Sequence, residues 1–144
     1  MEIEVREPAN EQELEQYYDL RWRVLREPWA QARESGRDEH EREAIHLTAW
    51  VDGRLVGAGR LHFNSAEQAQ IRYMAVEPAL TGRGIGSRIL RALEQRAAAQ
   101  AARCIVLNAR ESALEFYRKH GYRLVDRSGT LFNSIEHWWM EKDL

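Results

Sequence analysis

The chain has 144 residues, with 23 acidic and 21 basic side chains, a formal net charge of −2 and a single cysteine. This length suits one domain, residues 1–144, with one substantial core, and the near-balanced charge gives no electrostatic basis for binding nucleic acid. No long apolar segment is present, so we expect no signal peptide and no membrane contact. A single cysteine suits a reducing compartment, so we expect a cytoplasmic location, with Cys104 as a buried structural thiol.

The N-terminal residues predict a short strand followed by a helix. The strand covers Ile3 to Arg6. Asn10 and Glu13 then form an Asn-x-x-Glu capping box, which predicts a helix that continues to about Arg26. The inward face of this helix is expected to consist of Leu14, Tyr17 or Tyr18, Trp22 and Leu25.

The segment from Arg33 to Glu43 carries five acidic and three basic residues. A solvated surface segment is one interpretation. The functional interpretation is that the segment walls an acceptor pocket together with Arg26 and Trp29, because loops on a rigid scaffold commonly carry specificity. The carboxylates that would then attract a cationic amine are those of Glu34, Asp38 and Glu39.

Asp52-Gly53 is a strong signal for a two-residue hairpin turn between two strands. A regular register from that turn would place His46 opposite Gly59. Gly57 and Gly59 would then leave one face of the sheet thin, which indicates either a bulge or the close approach of a ligand. The two strands are Ile45–Val51 and Arg54–Phe63.

The stretch from Gln70 to Glu94 predicts a strand, a glycine-rich turn and a long helix. The strand ends at Val76, because Pro78 cannot donate to a ladder. The turn is Thr81-Gly82-Arg83-Gly84-Ile85-Gly86. The helix is expected from about Gly84 to Ala102, with an apolar stripe formed by Ile85, Ile89, Leu93 and Ala97.

Such a turn favours a phosphate ligand. The first amides of a helix lack internal partners and carry the positive end of its dipole, and glycines let a bulky anion approach them. Arg83 and Arg88 flank the turn and could add charge-assisted hydrogen bonds. A tight turn whose glycines only satisfy backbone geometry is the alternative. A nucleoside-triphosphate loop is excluded because no Lys-Ser or Lys-Thr follows, and a dinucleotide fold because Glu77–Leu80 intervene.

The C-terminal part predicts a parallel strand, a helix and two further strands. Cys104–Leu107 is expected to return beside the Gln70–Val76 strand after the helical crossover. Asn108 and Glu111 form a second capping box, which predicts a helix that closes at Gly121. The last strands are expected at Tyr122–Val125 and Glu136–Lys142, with a loop after Asp126-Arg127-Ser128-Gly129.

Two segments resemble the GCN5-related N-acetyltransferases, whose acyl-coenzyme A signature is Arg/Gln-x-x-Gly-x-Gly/Ala. Arg83-Gly84-Ile85-Gly86 fits its second half, whereas Thr81 replaces the usual first residue. Asn108-Ala109-Arg110-x-x-Ala113-x-x-Phe116-Tyr117-x-x-x-Gly121-Tyr122 resembles the downstream segment of the same family. The resemblance implies an α/β (α+β) acetyltransferase fold, with a mixed, mostly antiparallel sheet of six to seven strands flanked by about four helices.

The resemblance also implies that acetyl-coenzyme A is the co-substrate and that its acetyl group passes directly to a primary amine. Tyr117 is implied to lie near the thioester sulfur and to protonate the departing thiolate, since the ordinary pKa of tyrosine is close to that of an alkyl thiol. A core aromatic is the alternative for Tyr117, and a helix cap is the alternative for Asn108. The residues expected to bind the coenzyme are Met74, Ala75, Val76, Gly82, Arg83, Gly84, Ile85, Gly86, Ser87 and Asn108.

The acceptor is expected to be a small-molecule or peptide amine. Residues expected to contact it are Trp29, His46, His62 and Arg72. Candidates for the general base are His46, His62 and Glu77. No metal is expected, because the histidines and the single cysteine lack ligand spacing. A homodimer is a state that the resemblance allows. The alternative function is a non-catalytic acyl-coenzyme A or nucleotide-binding module, which Thr81 and the lack of a glutamate within the Gln70–Val76 strand favour.

Overall fold

A computed structural model describes residues 1–132 and 134–144 and shows one seven-stranded sheet in the order β1-β2-β3-β4-β5-β7-β6. All neighbouring strands are antiparallel except β4 and β5, which are parallel. The strands are β1 Glu4–Arg6, β2 Ile45–Val51, β3 Arg54–Phe63, β4 Gln68–Val76, β5 Cys104–Arg110, β6 Arg123–Leu131 and β7 Ile135–Asp143. The α-helices in the described residues are α1 Glu11–Leu25, α2 Ile85–Ala99 and α3 Leu114–Lys119, and 3₁₀ helices cover Glu27–Trp29, Arg33–Gly36, Pro78–Leu80 and Glu111–Ala113. The predicted fold class is confirmed.

Helix α1 begins at the predicted cap, where the Asn10 side chain accepts a 2.9 Å hydrogen bond from the amide of Glu13. Its buried face differs from the prediction, because Tyr17, Leu20 and Arg21 are fully buried. The predicted inward residues Trp22 and Leu25 are only partly buried. An apolar periodicity could not predict this face, since it is centred on an arginine that the tertiary structure pairs with a distant carboxylate.

The β2–β3 hairpin turns at Asp52 and Gly53, both of which have positive φ, as the sequence predicted. The predicted register beyond the turn is wrong. A bulge shifts the pairing by one residue, so His46 lies opposite Arg60 rather than Gly59. A Cβ on Gly57 or Gly59 would lie 2.6 or 2.7 Å from Ile89, so helix α2, and not a ligand, occupies the space above these glycines.

Helix α2 packs its predicted stripe against the sheet, since Ile85, Ile89, Leu93 and Ala97 are all buried. It ends at Ala99, three residues before the predicted end, where Ala101 adopts a left-handed conformation. The chain then returns as β5, which confirms the predicted parallel pairing with β4.

Strands β4 and β5 pair only from Gln68–Ile71 to Cys104–Leu107. Beyond Ile71, β4 bulges against β3, and Tyr73 within this bulge has a φ of 61°. A positive φ is unfavourable for a bulky aromatic residue and occurs where the surrounding structure imposes it. The two parallel strands therefore separate, and their carboxyl ends open a cleft.

Two predictions for the C-terminal part are wrong. Strand β5 continues to Arg110, with Asn108 opposite Trp139 on β7, so Asn108 does not cap a helix. The predicted end of the strand at Val125 is also wrong, because β6 continues through residues 126–129 to Leu131, with two register shifts against β7. Turn-forming residues are tolerated there as bulges in an edge strand.

No helix in the described residues is long and apolar enough to cross a membrane. Cys104 lies at the start of β5 and is partly buried. Burial raises the pKa of its thiol, and Glu141 adds to that effect, so the group stays protonated at neutral pH. This environment fits the predicted structural role.

Candidate active site

Two cavities meet at the open ends of β4 and β5. The first, here called the glycine-turn cavity, has a volume of about 430 Å³ and lies between the end of β4, the N-terminus of α2 and α3. The second, here called the arginine cavity, has a volume of about 120 Å³ and lies between β4, β5 and the end of α1. Three residues line both cavities: Met74, Ala113 and Tyr117.

The glycine-turn cavity contains most of the residues predicted to bind coenzyme. Gly82 and Gly84 have φ values of 78° and 87°, and a Cβ at either position would meet no atom within 4 Å. The backbone N–H groups at the start of α2 are therefore accessible to an anion. The predicted coenzyme residues that line this cavity are Met74, Ala75, Val76, Gly82, Gly84, Ile85, Gly86 and Ser87.

Gly86 also has a packing role, because a Cβ there would lie 3.3 Å from the Phe116 ring. Arg83 does not line the cavity. Arg88 points away from it and donates a 3.1 Å hydrogen bond to the carbonyl of Ile3. The basic side chains that do line the cavity are Lys119 and His120, at the end of α3. The sequence analysis missed both, although their place in the last turn of a predicted helix was visible.

Tyr117 lies where the two cavities meet and is 7% exposed. Burial raises the pKa of its phenol. Its hydroxyl makes no hydrogen bond to any residue in the described part of the chain, whereas the hydroxyl of the neighbouring Tyr122 donates to Glu94 at 2.9 Å. A buried tyrosine hydroxyl normally has a partner, so the free hydroxyl of Tyr117 is available to a bound molecule.

Besides Arg83, Asn108 is the predicted coenzyme residue that lies outside the glycine-turn cavity. It lines the arginine cavity instead, and its side-chain oxygen accepts a 2.6 Å hydrogen bond from the hydroxyl of Ser128. This contact orients the Asn108 amide, whose NH₂ group remains available for a ligand.

Three arginines line the arginine cavity: Arg26, Arg72 and Arg110. Arg72, one of the predicted acceptor residues, forms a 2.8 Å ion pair with Asp38. Trp29 lies behind the cavity wall, where its ring faces Arg110 at 4.7 Å and stacks on Phe132. Tyr73 also lines the cavity, and its buried hydroxyl has no partner in the described residues.

The prediction that the acidic segment attracts a cationic amine is wrong for Asp38, because this carboxylate is already neutralised. Asp38 accepts hydrogen bonds from Arg60 at 2.5 and 3.0 Å as well as from Arg72. Glu41 is held by Arg21 and Arg60. Glu34 and Glu39 are exposed and line neither cavity.

The three predicted candidates for a general base also lie outside both cavities. His46 contacts the Tyr17 hydroxyl through Nδ1 at 2.8 Å and the Glu41 carbonyl through Nε2 at 2.7 Å. The carbonyl requires a proton on Nε2, so both ring nitrogens are already used. His62 contacts Arg60 and Asn64. Glu77 is paired with Arg23 at 2.8 Å.

One buried histidine that the sequence analysis missed lies closer to the site. His137 on β7 is directly opposite Arg110 on β5, so the two side chains share a face of the sheet. Burial lowers the pKa of His137, and Arg110, Arg26 and Arg72 lower it further. The ring is therefore neutral at physiological pH and does not add another positive charge beside the arginine cavity.

A larger groove of about 590 Å³ lies between α1 and the β2–β3 turn. Four of its six charged side chains are paired with one another, Arg23 with Asp19 and Glu77, and Arg33 with Asp19. None of its lining residues belongs to either family segment, and it contains no glycine turn at a helix N-terminus. Among residues 1–132 and 134–144, no cluster of three or more His, Cys, Asp or Glu residues could hold a metal ion.

The structure is an α/β fold in which an accessible helix N-terminus lies beside the gap between two parallel strands. Residues 14–122 match the model of the acetyltransferase (GNAT) family. The N-acetyltransferase YjcF of Bacillus subtilis is 32% identical over 134 residues, which cover 93% of this chain and 95% of that protein. The chain therefore belongs to the GNAT family and is an acyl-coenzyme A-dependent N-acetyltransferase.

Solved structures agree with this assignment at the level of the fold. An aminoglycoside 6'-N-acetyltransferase in complex with coenzyme A has a TM-score of 0.80 at 20% identity, covering 99% of this chain and 97% of that one. The PaiA N-acetyltransferase of Thermoplasma acidophilum, also in complex with coenzyme A, has a TM-score of 0.79 at 20% identity, with both chains fully covered. The fold of this chain is thus similar to the folds of two N-acetyltransferases that were solved in complex with coenzyme A.

Proposed function

We propose that acetyl-coenzyme A binds in the glycine-turn cavity and that the acceptor amine enters through the arginine cavity. The observation that carries this proposal is that both cavities are lined by Tyr117 and Met74. An amine and a thioester held in the two cavities would meet at Tyr117, and holding two reactants together removes much of the entropic barrier to their reaction.

The glycine-turn cavity combines accessible helix N–H groups with a nearby lysine, which suits the phosphates of coenzyme A. The backbone N–H groups around Gly84, Gly86 and Ser87 would hold the phosphates, with Lys119 adding positive charge. The edge of β4 near Ala75 and Val76 lies beyond the last β4–β5 pair, so its backbone groups are free to bond the amides of the pantetheine arm. Thr81 needs no specific side-chain contact in this arrangement, because its hydroxyl donates to the Pro78 carbonyl.

Bound acetyl-coenzyme A supplies an activated acetyl group and a thiol leaving group. Tyr117 keeps its proton at neutral pH, because burial raises its pKa, and its hydroxyl can donate that proton to the departing sulfur. A low-dielectric site also disfavours the free thiolate and so raises the pKa of the departing thiol. The pKa values of the Tyr117 phenol and of this thiol therefore shift in the same direction. Backbone N–H groups on the open edge of β4 would stabilise negative charge on the carbonyl oxygen during attack.

The amine must arrive without its proton. No carboxylate or histidine lines the arginine cavity in the described residues. The guanidinium groups of Arg26 and Arg110, which have no acidic partner, disfavour an ammonium ion and thereby lower the pKa of a bound amine. We propose that the amine loses its proton to water as it enters, with no side chain acting as the base.

The acceptor is a primary amine of a small molecule or a peptide. A non-catalytic binding module is not favoured, because such a protein would not need a second cavity that joins the first at an unpartnered phenol.

A homodimer stays a prediction. Leu124, Val125 and Trp139 are exposed on β6 and β7, and light scattering of the purified protein would measure the mass.

A thermal-unfolding measurement with acetyl-coenzyme A, NAD and ATP tests the coenzyme assignment. Ligand at a hundred times its dissociation constant adds about 2.7 kcal/mol of stability, which raises the unfolding midpoint of a domain of this size by several degrees. We expect this shift with acetyl-coenzyme A alone. A shift with NAD instead, or no shift with any of the three, would refute the assignment.

A further inference from the structure

The arginine cavity carries positive charge that the protein does not neutralise. Arg26 is 6% exposed, and Arg110 is partly buried. In the described residues, no carboxylate oxygen lies within 4.0 Å of either guanidinium group. Their hydrogen bonds go to backbone carbonyls instead, from Arg26 to Ser35 and Leu25 and from Arg110 to Leu25.

Two other buried arginines show how this chain otherwise treats such charges. Arg21 and Arg60 are both fully buried, and each is paired with an acidic residue. Arg21 bonds Glu41 at 2.9 Å, and Arg60 bonds Asp38 at 2.5 Å. Burial of an unpaired charge is costly, so pairing is the normal arrangement. The acidic residues of segment 38–41 serve these two arginines and leave Arg26 and Arg110 without a counter-charge.

Aromatic rings support the two unpaired arginines without removing their charge. Arg110 faces the ring of Trp29 at 4.7 Å, and Arg26 faces the rings of Phe132 at 5.3 Å and Tyr73 at 5.7 Å. Such contacts stabilise a cation while leaving its donors free. Burial lowers the pKa of both guanidinium groups, and nearby arginines lower it further, Arg72 and Arg21 at Arg26 and Arg26 at Arg110, yet arginine remains charged at neutral pH.

We infer that the acceptor carries an anionic group, and that Arg26 and Arg110 bind this group while the amine of the same molecule reaches Tyr117. The inference rests on the proposed function, in which the arginine cavity is the acceptor site. An anion there relieves the repulsion between the two arginines and supplies the missing counter-charge. Guanidinium groups match the two oxygens of a carboxylate and also those of a phosphonate or phosphate.

Coenzyme phosphates are a less suitable occupant of this position. The glycine turn and Lys119 lie on the other side of Tyr117 and Met74 from the two arginines. The volume of about 120 Å³ accommodates a compact head group. The occupant that fits the cavity is therefore a small amine-bearing acid or the acidic end of a larger acceptor.

The test compares amines of matched length and different charge with the full-length protein. The panel is β-alanine, β-alaninamide, 2-aminoethylphosphonate and 1,3-diaminopropane. Transfer is measured as thiol release with the product mass, and binding to the protein saturated with coenzyme A is measured by calorimetry. We expect β-alanine or 2-aminoethylphosphonate to exceed both other amines at least tenfold in kcat/KM and in affinity, and the better of these two identifies a carboxylate or a phosphorus oxyanion.

Arg110→Gln should abolish this preference by raising KM for the anionic amine at least tenfold, while KM for β-alaninamide and the affinity for acetyl-coenzyme A stay within twofold. Arg110→Lys should restore part of the preference. Arg123→Gln is the control, because Arg123 is an exposed residue on β6 that pairs with Glu141 away from both cavities. A purely structural role of Arg110 would affect charged and neutral amines equally.

The outcomes separate this inference from the proposed function. Transfer to neutral or cationic amines with no anionic preference would overturn the inference and leave the function intact. Anion binding that depends on Arg110, without transfer to any amine, would support the inference and refute the function. Loss of acetyl-coenzyme A affinity in Arg110→Gln, with unchanged amine preference, would assign the arginines to the coenzyme and overturn the inference.

Discussion

Arg60 on β3 forms two hydrogen bonds with Asp38, at 2.5 Å between Nη1 and Oδ1 and at 3.0 Å between Nη2 and Oδ2. The arginine is fully buried, and the aspartate arises from an irregular segment 22 residues earlier in the chain. This pair ties the segment after α1 to the sheet. It also determines the charge of the active site, because it keeps an acidic residue away from Arg26 and Arg110.

Replacement of this aspartate should destabilise the protein. Asp38→Asn leaves a buried guanidinium with only Glu41 as its counter-charge, so we expect a loss of about 3 kcal/mol in the free energy of unfolding. Asp19→Asn is the control, because its pairs with Arg23 and Arg33 are exposed and the expected loss is less than about 1 kcal/mol. Denaturant unfolding at pH 7 measures both. Equal losses in the two variants would contradict the buried-pair argument.

The same pair should contribute to acid sensitivity. Burial alone would raise the pKa of Asp38, but hydrogen bonds and charges from Arg60 and Arg72 outweigh it and hold the pKa well below its usual range. A depressed pKa gives stability that is present above the unfolded pKa of about 3.9 and is lost as the pH falls toward the folded value. The stability difference between the wild type and Asp38→Asn should therefore shrink below about pH 4. A constant difference between pH 7 and pH 3 would argue against this linkage.

Tyr117→Phe should lower kcat by about 100-fold, the effect expected when a general acid is removed. Affinity for acetyl-coenzyme A should change little, because the ring that packs in the cavity wall is kept. Tyr122→Phe removes an equally buried hydroxyl that bonds Glu94 and lies outside both cavities, so it controls for the loss of a phenol as such. Steady-state kinetics and calorimetry with acetyl-coenzyme A provide the two readouts. Unchanged kcat in Tyr117→Phe would remove the catalytic role.

Gly84→Val should weaken acetyl-coenzyme A binding by about tenfold or more, because its side chain would enter the space from which a phosphate reaches the helix amides. The substitution also strains the backbone, since Gly84 has a φ of 87°. Gly53→Val is a matched control, because Gly53 has a φ of 76° and equally open surroundings in the distant hairpin turn. Both variants should lose about 1–3 kcal/mol of stability from strain. Equal coenzyme affinity in the two would refute the phosphate cradle.

The rate of transfer should rise with pH until the acceptor amine is fully deprotonated. Acceptors with amine pKa values about two units apart should show rate profiles displaced in the same direction, since no side chain in the arginine cavity acts as the base. His62→Gln should leave the profile unchanged, because His62 lies outside both cavities. A profile with the same apparent pKa near 6 to 7 for every acceptor would instead indicate a histidine base.

The local parts of the site follow from sequence alone. The strand before Pro78, the glycine turn and the stripe from Ile85 to Ala97 are written in neighbouring residues, and each has a specific backbone or periodicity requirement. The family segments around Gly84 and Tyr117 add the activity and the co-substrate. The strand, the turn and the apolar stripe depend only on residues a few positions apart or on a single helix face.

The acceptor side of the site depended on tertiary structure. The acidic segment predicted a cationic amine, but Asp38 and Glu41 form ion pairs with arginines on α1 and β3. No local sequence pattern encodes this pairing. The bulge at Tyr73 separates β4 from β5 and exposes the cavity between them. Arg26 and Arg110 are 84 positions apart in the chain and share this cavity only because α1 ends above β5. The glycine turn proposed to hold the coenzyme could therefore be predicted from sequence, whereas long-range charge pairing decided that Arg26 and Arg110 have no acidic partner in the arginine cavity.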